Sequence, residues 1–183
     1  MFCYTSYPSA ELFVNGQSQG RQTKGPSDQP QTRYRLMWND VKYAPGMLKV
    51  VAYDAQGKAV ATEEVKTTGK PHHIRLVADR SALTADGKDL AFVTARVEDA
   101  QGNLCPDAAT ELHFAVSGAG HFQAVGNGDP TCLESFQRPQ MRVFHGQLVA
   151  IVQAAGPAGT LRLKATGKGL KDGTVELKTG SAQ

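Results

Sequence analysis

Three acidic pairs lie close enough in the sequence to suggest acid–base chemistry: Glu63 with Glu64, Asp86 with Asp89, and Asp99 with Asp107. Hydrolysis by two carboxyl groups needs them about 5 to 10 Å apart across a cleft. Glu63 and Glu64 are adjacent, and adjacent strand residues face opposite ways. The aspartate pairs fall in turn regions. None of these spacings enforces a matched acid and base, so no catalytic residue is assigned.

The other reactive side chains are equally scattered. His72 and His73 are neighbours that diverge on a strand, and His113, His121 and His145 stand apart. A structural zinc needs four ligands in a tight set. Cys3, Cys105 and Cys132 form no C-x-x-C. A Cys105–Cys132 bridge is conceivable, but the plainer reading is small apolar groups. No G-x-S-x-G occurs, so the hydrolase nucleophile elbow is missing. No metal ligand, cofactor-binding residue or cofactor is assigned.

Two features invite a binding reading. The segment Gly126-Asn127-Gly128-Asp129-Pro130-Thr131 is rich in turn formers. Asn127 and Asp129 could serve a calcium or sugar-contacting loop, since hard cations want oxygen ligands. The plainer reading is a structural turn into a longer crossover. Trp38, the single tryptophan, could be an aromatic platform for a sugar ring. It shares an alternating face with Tyr34 and Leu36, however, which reads as a core stripe.

The elements that would position these residues are strands. Leu12 and Val14 alternate with Glu11 and Phe13, and Leu48, Val50 and Ala52 with Lys49 and Val51. Leu112, Phe114 and Val116 do the same, as do Leu161, Leu163 and Ala165. Period two gives each segment one core face and one wet face. Turn signals recur at Asn15-Gly16, Gln56-Gly57, Asp86-Gly87, Gln101-Gly102, Asn127-Gly128 and Asp172-Gly173. The best helical stretch, Pro130 to Arg138, is short and bracketed by prolines. The fold class is therefore all-β, as two tandem immunoglobulin-like β-sandwich domains. Gly69 and Pro71 set the boundary, giving domains 1–70 and 71–183. Tyr53-Asp54-Ala55-Gln56-Gly57 echoes Glu98-Asp99-Ala100-Gln101-Gly102, which predicts two turns of the same chemistry.

The net charge of +3 arises in residues 1–70, where the basic residues are spread singly. Nucleic acid binding wants clustered basic residues, so it is excluded as a function class. No apolar run approaches the roughly 20 residues of a membrane helix. No basic-then-apolar leader opens the chain, and strand begins directly after Met1, so the chain reads as a fragment.

The opening Tyr4 to Gly20, with Glu11-Leu12-Phe13-Val14-Asn15-Gly16 at its centre, resembles the start of the β-sandwich domain that follows the catalytic barrel in glycoside hydrolase family 2 β-galactosidases. Trp38, Val41 to Tyr53, and Thr67 to Ile74 continue that likeness. The stretches Ala85 to Val93, Val116-Ser117-Gly118 and Gly126 to Pro130 resemble the Ig-like C-terminal module of the same bacterial enzymes. The resemblance implies a parent that hydrolyses terminal β-galactosides, with its catalytic glutamates in the preceding barrel. It also implies that the barrel is the partner and that the parent is secreted or periplasmic. The expected role is a non-catalytic accessory and spacer. The alternatives are a carbohydrate-binding module, with carbohydrate as partner, or an adhesin-like Ig domain of a surface protein.

Overall fold

A computed structural model describes residues 1–25 and 33–181. Strands dominate it, and the chain divides into two compact units, Met1–Thr67 and Thr68–Gln183.

The first unit holds β1 (Phe2–Tyr4), β2 (Ser9–Val14), β3 (Gln17–Thr23), β4 (Arg35–Met37), β5 (Met47–Tyr53) and β6 (Ala59–Lys66). Four of these form an antiparallel sheet in the order β3-β2-β5-β6. The turn between β2 and β3 is Asn15-Gly16, with φ of 50° and 82°. Two successive positive φ values are the geometry of a tight hairpin with the strands' own twist. β1 and β4 form a separate two-stranded ribbon. Leu36 and Trp38 from the ribbon side meet Ala10, Leu12 and Ala52 of the sheet, and these five make the buried apolar core of this unit among the described residues.

The second unit holds β7 (His73–Ala78), β8 (Ala82–Thr84), β9 (Leu90–Glu98), β10 (Glu111–Gly118), β11 (Gly120–Gly126), β12 (Gln140–Arg142), β13 (Gln147–Ala154), β14 (Gly159–Gly167) and β15 (Gly173–Gly180). It is a two-layer sandwich. One sheet runs β12-β10-β14-β15-β8 and the other β11-β13-β9-β7. All pairings are antiparallel except β15 with β8. The alternating residues do what period two requires. Leu112, Phe114, Leu161, Leu163 and Ala165 face Val93, Ala95, Val97, Ala150 and Val152 in one core.

The chain changes sheets at Gly118-Ala119-Gly120, between β10 and β11. Gly118 has a φ of +84°, and a Cβ there would sit 2.1 Å from the Thr160 carbonyl oxygen. A Cβ on Gly120 would sit 2.0 Å from Leu161 Cδ1. Only glycines let the strand turn this tightly against β14.

Some expectations need correcting. Tyr34 is 58% exposed rather than part of a core stripe, because the strand is only Arg35–Met37. Pro130 to Arg138, the best helical stretch of the sequence, forms turns and bends, in keeping with the expected all-β fold. The turn before β15 uses Gly169, with positive φ, and not Gly173. Gly173 matters for closeness instead: a Cβ there would meet the Ile74 carbonyl oxygen at 2.6 Å.

Candidate functional site

Of the acidic residues that the sequence offered for catalysis, Asp86, Asp89 and Asp99 hold turns and strand ends. Glu63 and Glu64 lie on opposite faces of β6, and Glu64 forms an exposed ion pair with Lys49 at 3.8 Å. Asp86 accepts hydrogen bonds from the amides of Lys88 (2.8 Å) and Asp89 (2.9 Å), which hold its carboxyl below the usual aspartate range. Asp89 accepts from the Thr84 amide at 2.7 Å and lies 3.4 Å from Arg80.

Asp99 is the most committed. It is 1% exposed and accepts from the amides of Gly69, Gln101 and Asn103 at 2.8 to 2.9 Å, and from the Asn103 side chain. The Gly69 amide is the largest cause holding its carboxyl far below the ordinary value. Carboxylates that accept several amide hydrogens stay ionised even in strong acid. The sequence echo is explained here. Asp54 accepts from the amides of Gln56 and Lys58, as Asp99 does from Gln101 and Asn103. The glycines that follow share a φ of 83° and 82°.

Sequence reasoning missed Glu98. Its side chain is 1% exposed, with His73 Nε2 at 3.4 Å and Arg96 Nε at 3.5 Å. Neither Arg96 Nε nor Glu98 Oε1 has a hydrogen-bond partner. The Glu98 carbonyl accepts from the His72 amide at 2.8 Å. Glu98 and Asp99 thus fasten the segment from Gly69 to His73, one through the His73 ring and the His72 amide, the other through the Gly69 amide. The available signal was the acidic doublet itself, at the end of a strand whose inward residues are all apolar.

The divergence expected of His72 and His73 does not occur, while the other three histidines stand apart. His72 and His73 meet each other, Nδ1 to Nδ1 at 3.3 Å. His113 contacts Glu111, His121 contacts Gln153, and the His145 ring lies over Phe144. Among the described residues no three His, Cys, Asp or Glu side chains are grouped to hold a metal ion. The Cys105–Cys132 bridge does not form. All three cysteines are free thiols, and Cys105 is buried with its thiol near the Gly69 carbonyl. Burial raises the Cys105 pKa, which opposes nucleophilic use.

Asn127 and Asp129 lie at one cleft of about 470 Å³ in the second unit, with Cys132, Glu134, Arg142 and Phe144. Their hydrogen bonds go to the loop itself and to β12. Asn127 Nδ2 donates to the Arg142 carbonyl (3.0 Å), while its Oδ1 accepts from the Asp129 amide (3.0 Å). Asp129 accepts from the Thr131 amide and hydroxyl, which lower its pKa. Glu134 accepts from the Arg142 amide at 3.2 Å, so the crossover is tied to β12. These are the bonds of a structural turn.

Trp38 is no aromatic platform. It is 4% exposed, and its indole N–H donates to the Gly20 carbonyl at 2.9 Å. A ring enclosed on both faces offers no surface to a sugar. A second cavity, about 310 Å³, opens in the first unit between Met1–Thr5 and strands β5 and β6.

The comparisons with known proteins now bear on this arrangement. Residues 74–176 match the family model of the glycoside hydrolase family 2 C-terminal domain 5. Residues 1–61 match a domain of unknown function (DUF4982). The chain is 43% identical over 178 residues to the β-galactosidase BoGH2A of Bacteroides ovatus, covering 97% of this chain and 20% of that protein. It is 27% identical over 183 residues to a β-glucuronidase of Formosa agariphila, covering 98% of this chain and 18% of that one. A solved family 2 glycosyl hydrolase from Bacteroides cellulosilyticus superposes with a TM-score of 0.90 at 30% identity, over 98% of this chain and 22% of that chain. The chain thus spans about a fifth of the relatives it matches. With its sandwich fold and its matched C-terminal module, the chain belongs to glycoside hydrolase family 2, as a C-terminal part of such an enzyme.

Proposed function

We propose that this chain is a non-catalytic accessory part of its parent enzyme, and that the parent hydrolyses terminal β-galactosides. The carrying observation is a proportion: the chain matches nearly end to end, yet spans a fifth of the β-galactosidase it resembles. The use of its acids supports the same reading. Asp86, Asp99 and Asp129 each accept backbone amide hydrogens, and Glu98 is buried against Arg96 and His73. A general acid or base needs a carboxyl free to meet substrate. The role is then structural: to brace or space the catalytic barrel that precedes it. The parent works outside the cytoplasm, secreted or periplasmic.

The test is a deletion. Removing these residues from the parent is expected to lower its thermal stability and its turnover of a β-galactoside. Full stability and activity without them would sink the structural role. The isolated chain is expected to release no galactose, and measurable turnover by it would overturn the non-catalytic reading. A cytoplasmic parent in cell fractionation would overturn the localisation.

A further inference from the structure

The first unit is an unfinished sandwich. Its four-stranded sheet is faced by a ribbon of only two short strands. The residues on the core face of β5, Leu48, Val50 and Ala52, pair with Val65, Glu63 and Ala61 of β6. On β2, and on β5 at Ala52, that face meets Leu36 and Trp38, while Leu48 and Val50 are only partly buried and line the groove. On β6 it is bare, and all eight residues of the strand are exposed, with Val65 at 60%. The cavity of about 310 Å³ lies here, walled by β1 on one side and by β5 and β6 on the other. Phe2 and Tyr4 stand at its rim, 55% and 71% exposed. Seven of the twelve exposed large apolar side chains among the described residues belong to residues 1–67. Contiguous exposed apolar surface of this kind marks an interaction site.

The position of β1 indicates what fits there. β1 lines the groove and pairs only with β4, so no strand among the described residues lies on its other edge. The ladder is still running at the first residue: the Met1 nitrogen donates to the Trp38 carbonyl at 2.7 Å, and the Trp38 amide donates to the Met1 carbonyl at 3.0 Å. A longer chain would therefore enter the first unit along the rim of the groove. About four-fifths of the relatives' length lies outside this chain.

We infer that the groove is the seat of the parent segment leading into Met1, which folds back beside β1 as a third strand. Its apolar side chains close the sandwich over Leu48, Val50 and Val65. An open strand edge next to bare apolar surface is what strand addition uses. This inference rests on the reading of the chain as part of a family 2 enzyme.

The experiment expresses the reading frame that precedes Met1 together with this chain as one protein, beside this chain alone. Hydrogen exchange is followed at β1 and β6. The expected result is at least about tenfold slower exchange there in the longer protein. Val65→Asp is expected to lower the melting temperature of the longer protein and to leave that of this chain unchanged. Equal exchange in both proteins, with Val65→Asp silent in both, overturns the inference while the family reading stands. Protection of β6 in this chain alone that grows with concentration overturns it in favour of a second copy. A preceding frame without a glycosidase portion sinks the inference and the accessory reading together.

Discussion

The carboxylate of Asp99 accepts the amide hydrogen of Gly69 at 2.8 Å, across thirty residues of chain. The same carboxylate organises its own turn through Gln101 and Asn103. One buried side chain therefore fixes both a turn and the entry of the second unit. Asp54 builds the same turn but reaches no distant segment. Asp99→Ala is expected to lower the melting temperature of the second unit by about 5 °C or more, since three backbone amides lose their shared acceptor. Asp54→Ala should shift melting far less. Calorimetry on the two variants distinguishes them.

The pH dependence follows from the same contact. The folded carboxyl titrates well below the unfolded one. The folded state therefore binds the proton more weakly, and its stabilisation is fully present above the unfolded aspartate pKa of about 3.9. It is lost as pH falls from there toward the lower folded value. Asp99→Asn is expected to flatten the fall in melting temperature between about pH 4 and pH 2. A wild-type slope that survives the substitution would contradict this.

Glu98 makes a second, chargeable contact to the same entry segment. Its partners His73 and Arg96 keep about a third of their side-chain surface in water. Glu98→Ala is expected to cost about 1–3 kcal/mol, less than a fully buried pair would, because water still reaches both partners. Urea denaturation measures it. Arg96→Leu should cost at least as much, since it strips a cation from a carboxylate that stays buried.

Two glycines separate conformational from steric necessity. Gly118→Ala pushes a methyl into the Thr160 carbonyl, on top of an unfavourable φ. It is expected to cost about 3 kcal/mol or more. Gly16→Ala meets nothing within 4 Å and suffers only the φ penalty, about 1 kcal/mol. Chemical denaturation of both variants tests the order.

The two units are expected to melt separately. Among the described residues the core cluster of the first holds five buried apolar residues and that of the second twenty-one. Burial of apolar area is the main favourable contribution to folding. Trp38 is the single tryptophan and sits in the smaller core. Its fluorescence should change at a lower temperature than the far-ultraviolet circular dichroism, which the larger unit dominates. Coincident transitions would contradict independent melting.

Most of the strand framework was legible because period two is a local property. Leu112, Phe114, Leu161, Leu163 and Ala165 announced their inward face without knowledge of their partners. Asn15-Gly16 announced its turn through the positive φ that those residues tolerate. Tyr34 misled because alternation shows which residues share a face but not where a strand starts. The burial of Glu98 and Asp99 was illegible for another reason. What makes it tolerable, the Gly69 amide and the His73 side chain, arrives from about thirty residues away. Asn127 and Asp129 were legible as a loop, and the fold directs their bonding atoms to Arg142 and Thr131.

The last strand, β15, lies in the interior of its sheet, between β14 and β8, with Leu177 and Thr179 buried. β8 has no other strand partner among the described residues. During synthesis, β8 must therefore wait for residues made almost a hundred positions later. The second unit cannot close while its C-terminal strand is still inside the ribosome. Chains stalled short of Gly173 would expose β8 and the open edge of β14 to proteases and to other nascent chains.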